Sequence, residues 1–202
     1  MPETSQSQIR EVLRRAIRDK LGLLWDDSAL DRVINDSQKE YALVSCSLTG
    51  RVPVAATADG VFFTPTDFIR PVKFIGTDGL EKPFIRWKHL HDSFPDFRIV
   101  TGTLVRGIVP DFDGAGKLRL FPKLPAGQEA GTLFYSRLPA NDRIECANTD
   151  AIIQCALYFV FLLDGNAAAP VYYRNFALAV GRETRSERGI AEHSGRRRGR
   201  FF

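Results

Sequence analysis

The fold is decided by one apolar stretch, Thr149–Asp164, which reads TDAIIQCALYFVFLLD. Between Ala151 and Leu163 only Gln154 and the hydroxyl of Tyr158 are polar, so no face of a helix built from this stretch suits water. A membrane-spanning helix needs about 20 consecutive apolar residues, and this stretch is shorter. The sequence therefore predicts a central helix that the rest of the chain buries.

Both ends of the central helix carry helix-terminus signals. Asn148 or Thr149 can cap its start, and Asp150 suits the positive end of the helix dipole. Gly165 suits the left-handed position that often follows a helix. These signals predict a helix that begins near 149 and ends near 164.

Apolar residues at helical spacing predict three more helices. The acidic cluster Asp26-Asp27-Ser28 marks the start of the second, which fades near Cys46, and Pro170 suits the first turn of the last one. The first helix is expected to close at Gly22. The three apolar stripes are Ile9, Val12, Leu13, Ala16, Ile17 and Leu21; Leu30, Val33, Ile34, Ser37 and Tyr41; and Tyr172, Tyr173, Phe176 and Val180.

Between the two helix pairs the pattern changes to that of short strands. From Gly50 onward Gly and Pro recur every several residues, and Thr77–Gly79 and Asp113–Gly116 have the composition of hairpin turns. We expect a small antiparallel sandwich or barrel. The predicted strands lie in the apolar runs 52–55, 61–63, 72–75, 84–87, 99–109, 117–121 and 132–135.

Together these patterns predict an α+β fold: an antiparallel bundle of four main helices with an inserted all-β domain. The expected boundaries are 1–48 for the first helix pair, 49–146 for the insertion, 147–188 for the second pair and 189–202 for an extended arm. With 44% hydrophobic residues in 202, the chain can bury one core and a satellite. Cys46, Cys146 and Cys155 have no metal or redox spacing and no signal region precedes them, which favours a reducing cytosol.

The C-terminal tail carries the whole charge excess. The net charge is +4, and the part from Arg182 onward holds seven Arg against three Glu. Such a run is compatible with a solvated tail or with phosphate binding. The last two residues are aromatic, however, and guanidinium groups with aromatic anchors suit a docking peptide. The candidate docking residues are Arg196, Arg197, Arg198, Arg200, Phe201 and Phe202.

Enzyme chemistry is poorly supported. His89 and His91 would share one side of a strand, but no Cys or Glu cluster adds ligands, so a polar loop is favoured. Gly114–Lys117 lacks the Ser or Thr of a phosphate loop, and Asp111–Gly114 lacks the closing Glu of a calcium loop. We therefore expect no catalytic residues, no metal and no cofactor.

Four segments resemble the head-to-tail connector, or adaptor, proteins of tailed bacteriophages. The order of parts is also similar: two helices, an all-β insertion, two helices and an arm. Thr64 stands where the family usually has Leu at the entry to a strand. The segments are Leu24–Gln38, Thr64–Val72, Lys117–Pro122 and Gly131–Pro139.

This resemblance implies a structural protein of the virion neck that is assembled in the host cytoplasm. Family members form a ring, usually of twelve copies, below the portal; the arm of each copy enters the portal, and DNA passes through the lumen to the tail. The expected partners are the portal protein, a downstream tail or neck protein and genomic DNA without sequence-specific contacts, with no membrane. A tail-terminator or stopper ring and a nucleic-acid-binding protein remain alternatives.

Overall fold

The structure is a computed structural model that describes residues 5–19, 21–110, 114–141 and 143–181. The described helices are α1 (Gln6–Ala16), α2 (Asp27–Ser45), α3 (Trp87–Ser93), α4 (Thr149–Leu163) and α5, which covers residues 169–181. The described strands are β1 (Thr49–Ala55), β2 (Val61–Phe63), β3 (Phe68–Gly76), β4 (Glu81–Lys82), β5 (Gly107–Pro110), β6 (Lys117–Phe121) and β7 (Glu129–Arg137). The predicted α+β class is confirmed.

The chain divides into two compact units. One is continuous, Thr49–Arg137, and holds all seven described strands together with α3. The other is built from the chain on either side and holds α1, α2, α4 and α5. Residues 138–146, assigned to the insertion by the sequence pattern, cluster with the helices, because Ile144 and Cys146 pack into the helical core.

In the helical unit, α4 provides the centre of the core. Ile152, Ala156 and Val160 are fully buried and pack with residues of α1, α2 and α5. The predicted caps are confirmed: the Asn148 side chain accepts a hydrogen bond from the Ala151 amide at 3.0 Å, and Gly165 has φ 65°. None of the helices in the described part of the chain is long and apolar enough to cross a membrane.

Two sequence-based expectations for the helices are wrong. The last turn of α4 is not buried, since Leu162 and Leu163 are 51% and 69% exposed. The first helix ends at Ala16 rather than at Gly22, and Leu21 lies outside it. The chain leaves the helix because Arg18 adopts φ 60° and the Asp19 carboxylate accepts backbone hydrogen bonds from residues beyond the turn.

The β unit consists of two antiparallel sheets, as predicted. One has the order β1-β7-β3-β4 and the other β2-β6-β5. Val54, Phe74 and Leu133 of the first sheet share a core with Ile108 and Leu120 of the second. The described strands therefore form two packed sheets and no closed barrel, which corrects the barrel alternative.

Two predicted strands are largely absent from this unit, and a helix was missed. Of the run 99–109 only residues 107–109 lie in a strand, and Ile99 is 74% exposed. Of the run 84–87 only Phe84 takes part in a sheet contact, an isolated bridge to Ile108. Instead of a strand or polar loop, His89 and His91 lie on α3. Leu90 is buried in a small core with Phe97, Val109 and Phe121, so α3 is formed by packing rather than by local pattern.

Candidate interaction surfaces

The first candidate surface is an apolar loop between α1 and α2. We call residues 21–25, Leu21-Gly22-Leu23-Leu24-Trp25, the leucine loop. Leu21, Leu23 and Leu24 are 83%, 81% and 80% exposed, whereas Trp25 packs partly against the helical core. Three neighbouring leucines in water are costly unless a partner covers them.

A buried carboxylate fixes the shape of the leucine loop. Asp19 Oδ1 accepts the Leu23 amide at 2.9 Å, and Oδ2 accepts the Leu24 and Trp25 amides at 3.3 and 2.9 Å. Gly22 supplies the positive φ of 68° that the turn needs. Burial opposes ionisation of Asp19, but the three backbone donors and Arg14 together hold its pKa below the ordinary value.

Two arginines of α1 bind the aspartates that flank the leucine loop. Arg14 Nη1 donates to the Asp19 backbone oxygen at 3.3 Å, and its Nη2 lies 2.6 Å from Asp27 Oδ1. Arg10 Nη1 lies 2.6 Å from the other oxygen of Asp27. The hydrogen bond from Arg14, opposed by partial desolvation, lowers the pKa of Asp27. These contacts tie the end of α1 to the start of α2, so the leucines project from a fixed frame.

The second candidate surface is an open apolar groove of about 500 Å³ where α4 turns into α5. We call it the α4–α5 groove. Its walls include Tyr158, Leu162, Ala169, Pro170 and Tyr173. The ring centroids of Tyr158 and Tyr173 lie 5.1 Å apart, so the two rings together form one wall of the groove. The groove is therefore a preformed apolar depression in the helical unit.

A family comparison identifies the class of protein that carries these surfaces. The model of the SU10 adaptor protein family matches residues 6–200. The chain belongs to this family. No curated protein matches the chain. The family match confirms the resemblance to phage head-to-tail adaptors. Adaptors are virion assembly proteins that interact with portal and tail proteins and oligomerise.

The docking residues predicted for this adaptor lie outside the described residues. The last described residue is Gly181 on α5, and the candidate arm follows it in the sequence. The predicted docking residues are Arg196, Arg197, Arg198, Arg200, Phe201 and Phe202.

The histidine pair of the adaptor does not form a metal site with other described residues. His89 and His91 are exposed on α3, and the His91 ring meets the edge of Trp87 at 6.4 Å between centroids. Within the described ranges no group of three or more His, Cys, Asp or Glu residues is placed to hold a metal ion. Residues 114–116 end the β5–β6 connection, with φ 110° at Gly114, and Lys117 begins β6.

The buried cysteines serve the core of the adaptor. Burial raises the pKa of the Cys155 thiol to about 12, so it stays protonated at neutral pH. Cys146 is also buried in the helical core. Sequence reasoning missed both apolar surfaces, because it placed Leu21 in the first helix, assigned no surface to Leu23, and took α4 for a helix buried on every side. The run of three leucines beside Gly22 was the available signal.

Proposed function

We propose that this adaptor forms a ring below the portal, joins the DNA-filled capsid to the tail and lets DNA pass through its lumen. The observation that carries the proposal is the family match, which extends over both units and most of the tail. The helical and β units supply a folded body of about neutral charge, because the excess of positive charge lies from Arg182 onward.

The tail is the element we assign to portal docking. Four arginines within five residues can form bidentate pairs with carboxylates of a partner, and Phe201 and Phe202 can fill apolar pockets beside them. A positive tail on a neutral body directs electrostatic attraction to one end of each copy. The docking residues are Arg196, Arg197, Arg198, Arg200, Phe201 and Phe202.

A ring strengthens such a weak contact. When identical copies, expected to number twelve, are held together, their arms engage the portal as one multivalent ligand. Even a contact of ~2 kcal/mol per arm then gives an effectively permanent attachment, because release requires all arms to leave together. A neutral body also limits attraction between the lumen and the passing DNA.

Deletion of Gly195–Phe202 tests the docking role. We expect the shortened chain to fold, because the buried residues of all three hydrophobic cores lie between Ile9 and Val180, and to fail to join portal-containing capsids. Circular dichroism checks folding and co-sedimentation with capsids measures attachment. A matched variant in which Arg182, Arg185 and Arg188 become Ala removes similar charge and should still attach. Normal attachment of the deleted chain would refute arm docking.

A second experiment separates docking from nucleic-acid binding. The full chain is titrated with duplex DNA at low and physiological salt, because phosphate binding by arginines weakens steeply as salt rises. We expect little binding in physiological salt and no change in portal attachment when free DNA is added. Tight, salt-sensitive DNA binding that is lost with residues 195–202 would favour the nucleic-acid alternative.

A further inference from the structure

We propose that the leucine loop of one copy inserts into the α4–α5 groove of the next copy. This contact would be the joint between neighbouring subunits. The inference rests on the proposed ring, and it adds the surfaces that build it. Its occupant is a second copy of this chain.

The leucine loop has the properties of an interface anchor. Its three leucines are more than three-quarters exposed, yet the Asp19 carboxylate fixes the backbone at Leu23, Leu24 and Trp25. A loop already held in one shape loses little entropy on binding, so more of the apolar contact remains as affinity. Arg14 and Asp27 reinforce this frame across the α1–α2 turn. An ordinary linker needs no such frame.

The α4–α5 groove offers a matching receptor. Leu162 and Tyr173 are about half exposed and line the groove together with Ala169 and Pro170. A volume of about 500 Å³ is several times that of one leucine side chain and suits two or three of them. Covering this groove also removes water from the exposed last turn of α4.

Opposite charges flank the two surfaces. Arg18 is exposed two residues after α1, three residues before Leu21. Asp164 is exposed at the end of α4, between Leu162 and Gly165, which both line the groove. Across the described ranges neither side chain forms an ion pair within its own chain. A loop docked in the groove of the next copy can therefore pair Arg18 with Asp164 of that copy.

This arrangement explains why a ring forms rather than a dimer. The loop and the groove are different surfaces, so the contact is head-to-tail, and each copy keeps a free loop and a free groove. Repetition of such a contact closes into a ring when the rotation between copies is suitable. A loop that met another loop would instead give a closed pair.

Cross-linking of mixed chains that each carry one accessible cysteine tests the joint. Both chains carry Cys46→Ser, and their remaining cysteines, Cys146 and Cys155, are buried. In one chain Leu23→Cys labels the loop, and in the other Ala167→Cys labels the groove. The two chains are mixed, treated with a short bis-maleimide and analysed both as concentrated protein and bound to portal. We expect a cross-linked pair containing one chain of each kind. Leu80→Cys, an exposed leucine of the β unit, is the matched control and should give none.

Each outcome of the cross-linking decides between occupants. Pairs between two Leu23→Cys chains would show a symmetric contact and overturn the proposal. Absence of loop–groove pairs in both samples would also overturn the proposed joint. If the chain still attaches to portal in that case, the proposed function stands without this joint.

A charge exchange supplies an independent readout. Arg18→Asp and Asp164→Arg should each lower the yield of loop–groove pairs about two- to five-fold, the usual range for one exposed ion pair. The double variant restores the pairing with its sign reversed, so its yield should return to that of the parent. Equal yields in all four chains would contradict the proposed pairing of Arg18 with Asp164.

Discussion

Asp19 is the residue on which the shape of the leucine loop depends. Its carboxylate accepts three backbone hydrogen bonds and meets Arg14, although only 5% of the residue is exposed. A carboxylate surrounded by donors is stabilised in its ionised form, which is why its pKa lies below the ordinary 3.8. The loop is therefore held by a charge that acid removes.

Replacement of Asp19 by Asn should lower the melting temperature at neutral pH, because the amide has one acceptor oxygen instead of two. The lowered pKa of Asp19 means that its stabilising effect is complete above pH 3.8 and is lost as pH falls through the folded-state value. The gap between wild type and variant should thus shrink in acid. Thermal melts from pH 7 to pH 3 measure it, with exposed Asp92→Asn as the control.

Gln38 provides a second prediction at this scale. It is fully buried on α2; its Nε2 donates to the Arg143 backbone oxygen at 3.2 Å, and its Oε1 accepts the Glu145 amide at 3.1 Å. Gln38→Ala removes both hydrogen bonds and opens a cavity, so the free energy of unfolding should fall by about 2–4 kcal/mol. Urea denaturation measures this.

The control for Gln38 is Gln154→Ala. Gln154 makes an exposed hydrogen bond with Asn175, and its loss should change the free energy of unfolding by no more than about 0.5 kcal/mol. Equal effects of the two substitutions would show that Gln38 does not fasten residues 143–145 to α2.

At the residue scale, local rules predicted helix caps well and loop geometry poorly. Asn148 and Asp26 cap helices as their types suggest, because a cap needs only neighbouring amides. Leu21 was assigned to the first helix because it continues a 3.6-residue pattern. That pattern contains no information about the Asp19 side chain. Its carboxylate accepts hydrogen bonds from backbone amides four to six residues later, and the chain there is no longer helical.

At the element scale, β7 is the central constraint of the β unit. It pairs with β1 on one side and with β3 on the other, and Gly131 lies where all three strands meet. Gly131 has φ 142°, and a Cβ atom at this position would clash with the Ile75 carbonyl oxygen. Only glycine allows β3 to approach this closely.

Gly131→Ala should therefore unfold the β unit or destabilise it by on the order of 4 kcal/mol, because a backbone atom must move. Gly79→Ala is the matched control: this hairpin glycine also has a positive φ, 75°, but open space around it. It should cost only about 1–2 kcal/mol of backbone strain. Near-ultraviolet circular dichroism and denaturation curves of both variants measure the difference, and similar losses would contradict the close-approach argument.

Elements defined by local periodicity were predicted, and elements defined by distant contacts were not. α2 and α4 have apolar patterns that a helix explains without further information. α3 was missed because its seven residues carry one buried side chain, Leu90, whose partners Val109 and Phe121 are distant in sequence. Exposure of Leu162 and Leu163 was likewise invisible, since composition cannot tell which helix face lacks a neighbour.

At the scale of the whole molecule, membership of the adaptor family and the α+β class could be reached from the sequence. Four segments in order along the chain were enough to reach the family, and its model matches residues 6–200. The α4–α5 groove could not be reached, because it depends on how Pro170 and Tyr173 of α5 approach Tyr158 of α4. The role of the arm remains a prediction.

The most direct test of the account is the mass of the purified chain, alone and mixed with portal protein, by light scattering after size exclusion. The ring account predicts a monomer alone and, in the mixture, a ring of adaptor copies bound to portal. The chain lacking residues 195–202 should stay monomeric in both. A full-length chain that stays monomeric beside portal, or a shortened chain that still joins it, would contradict the central claim.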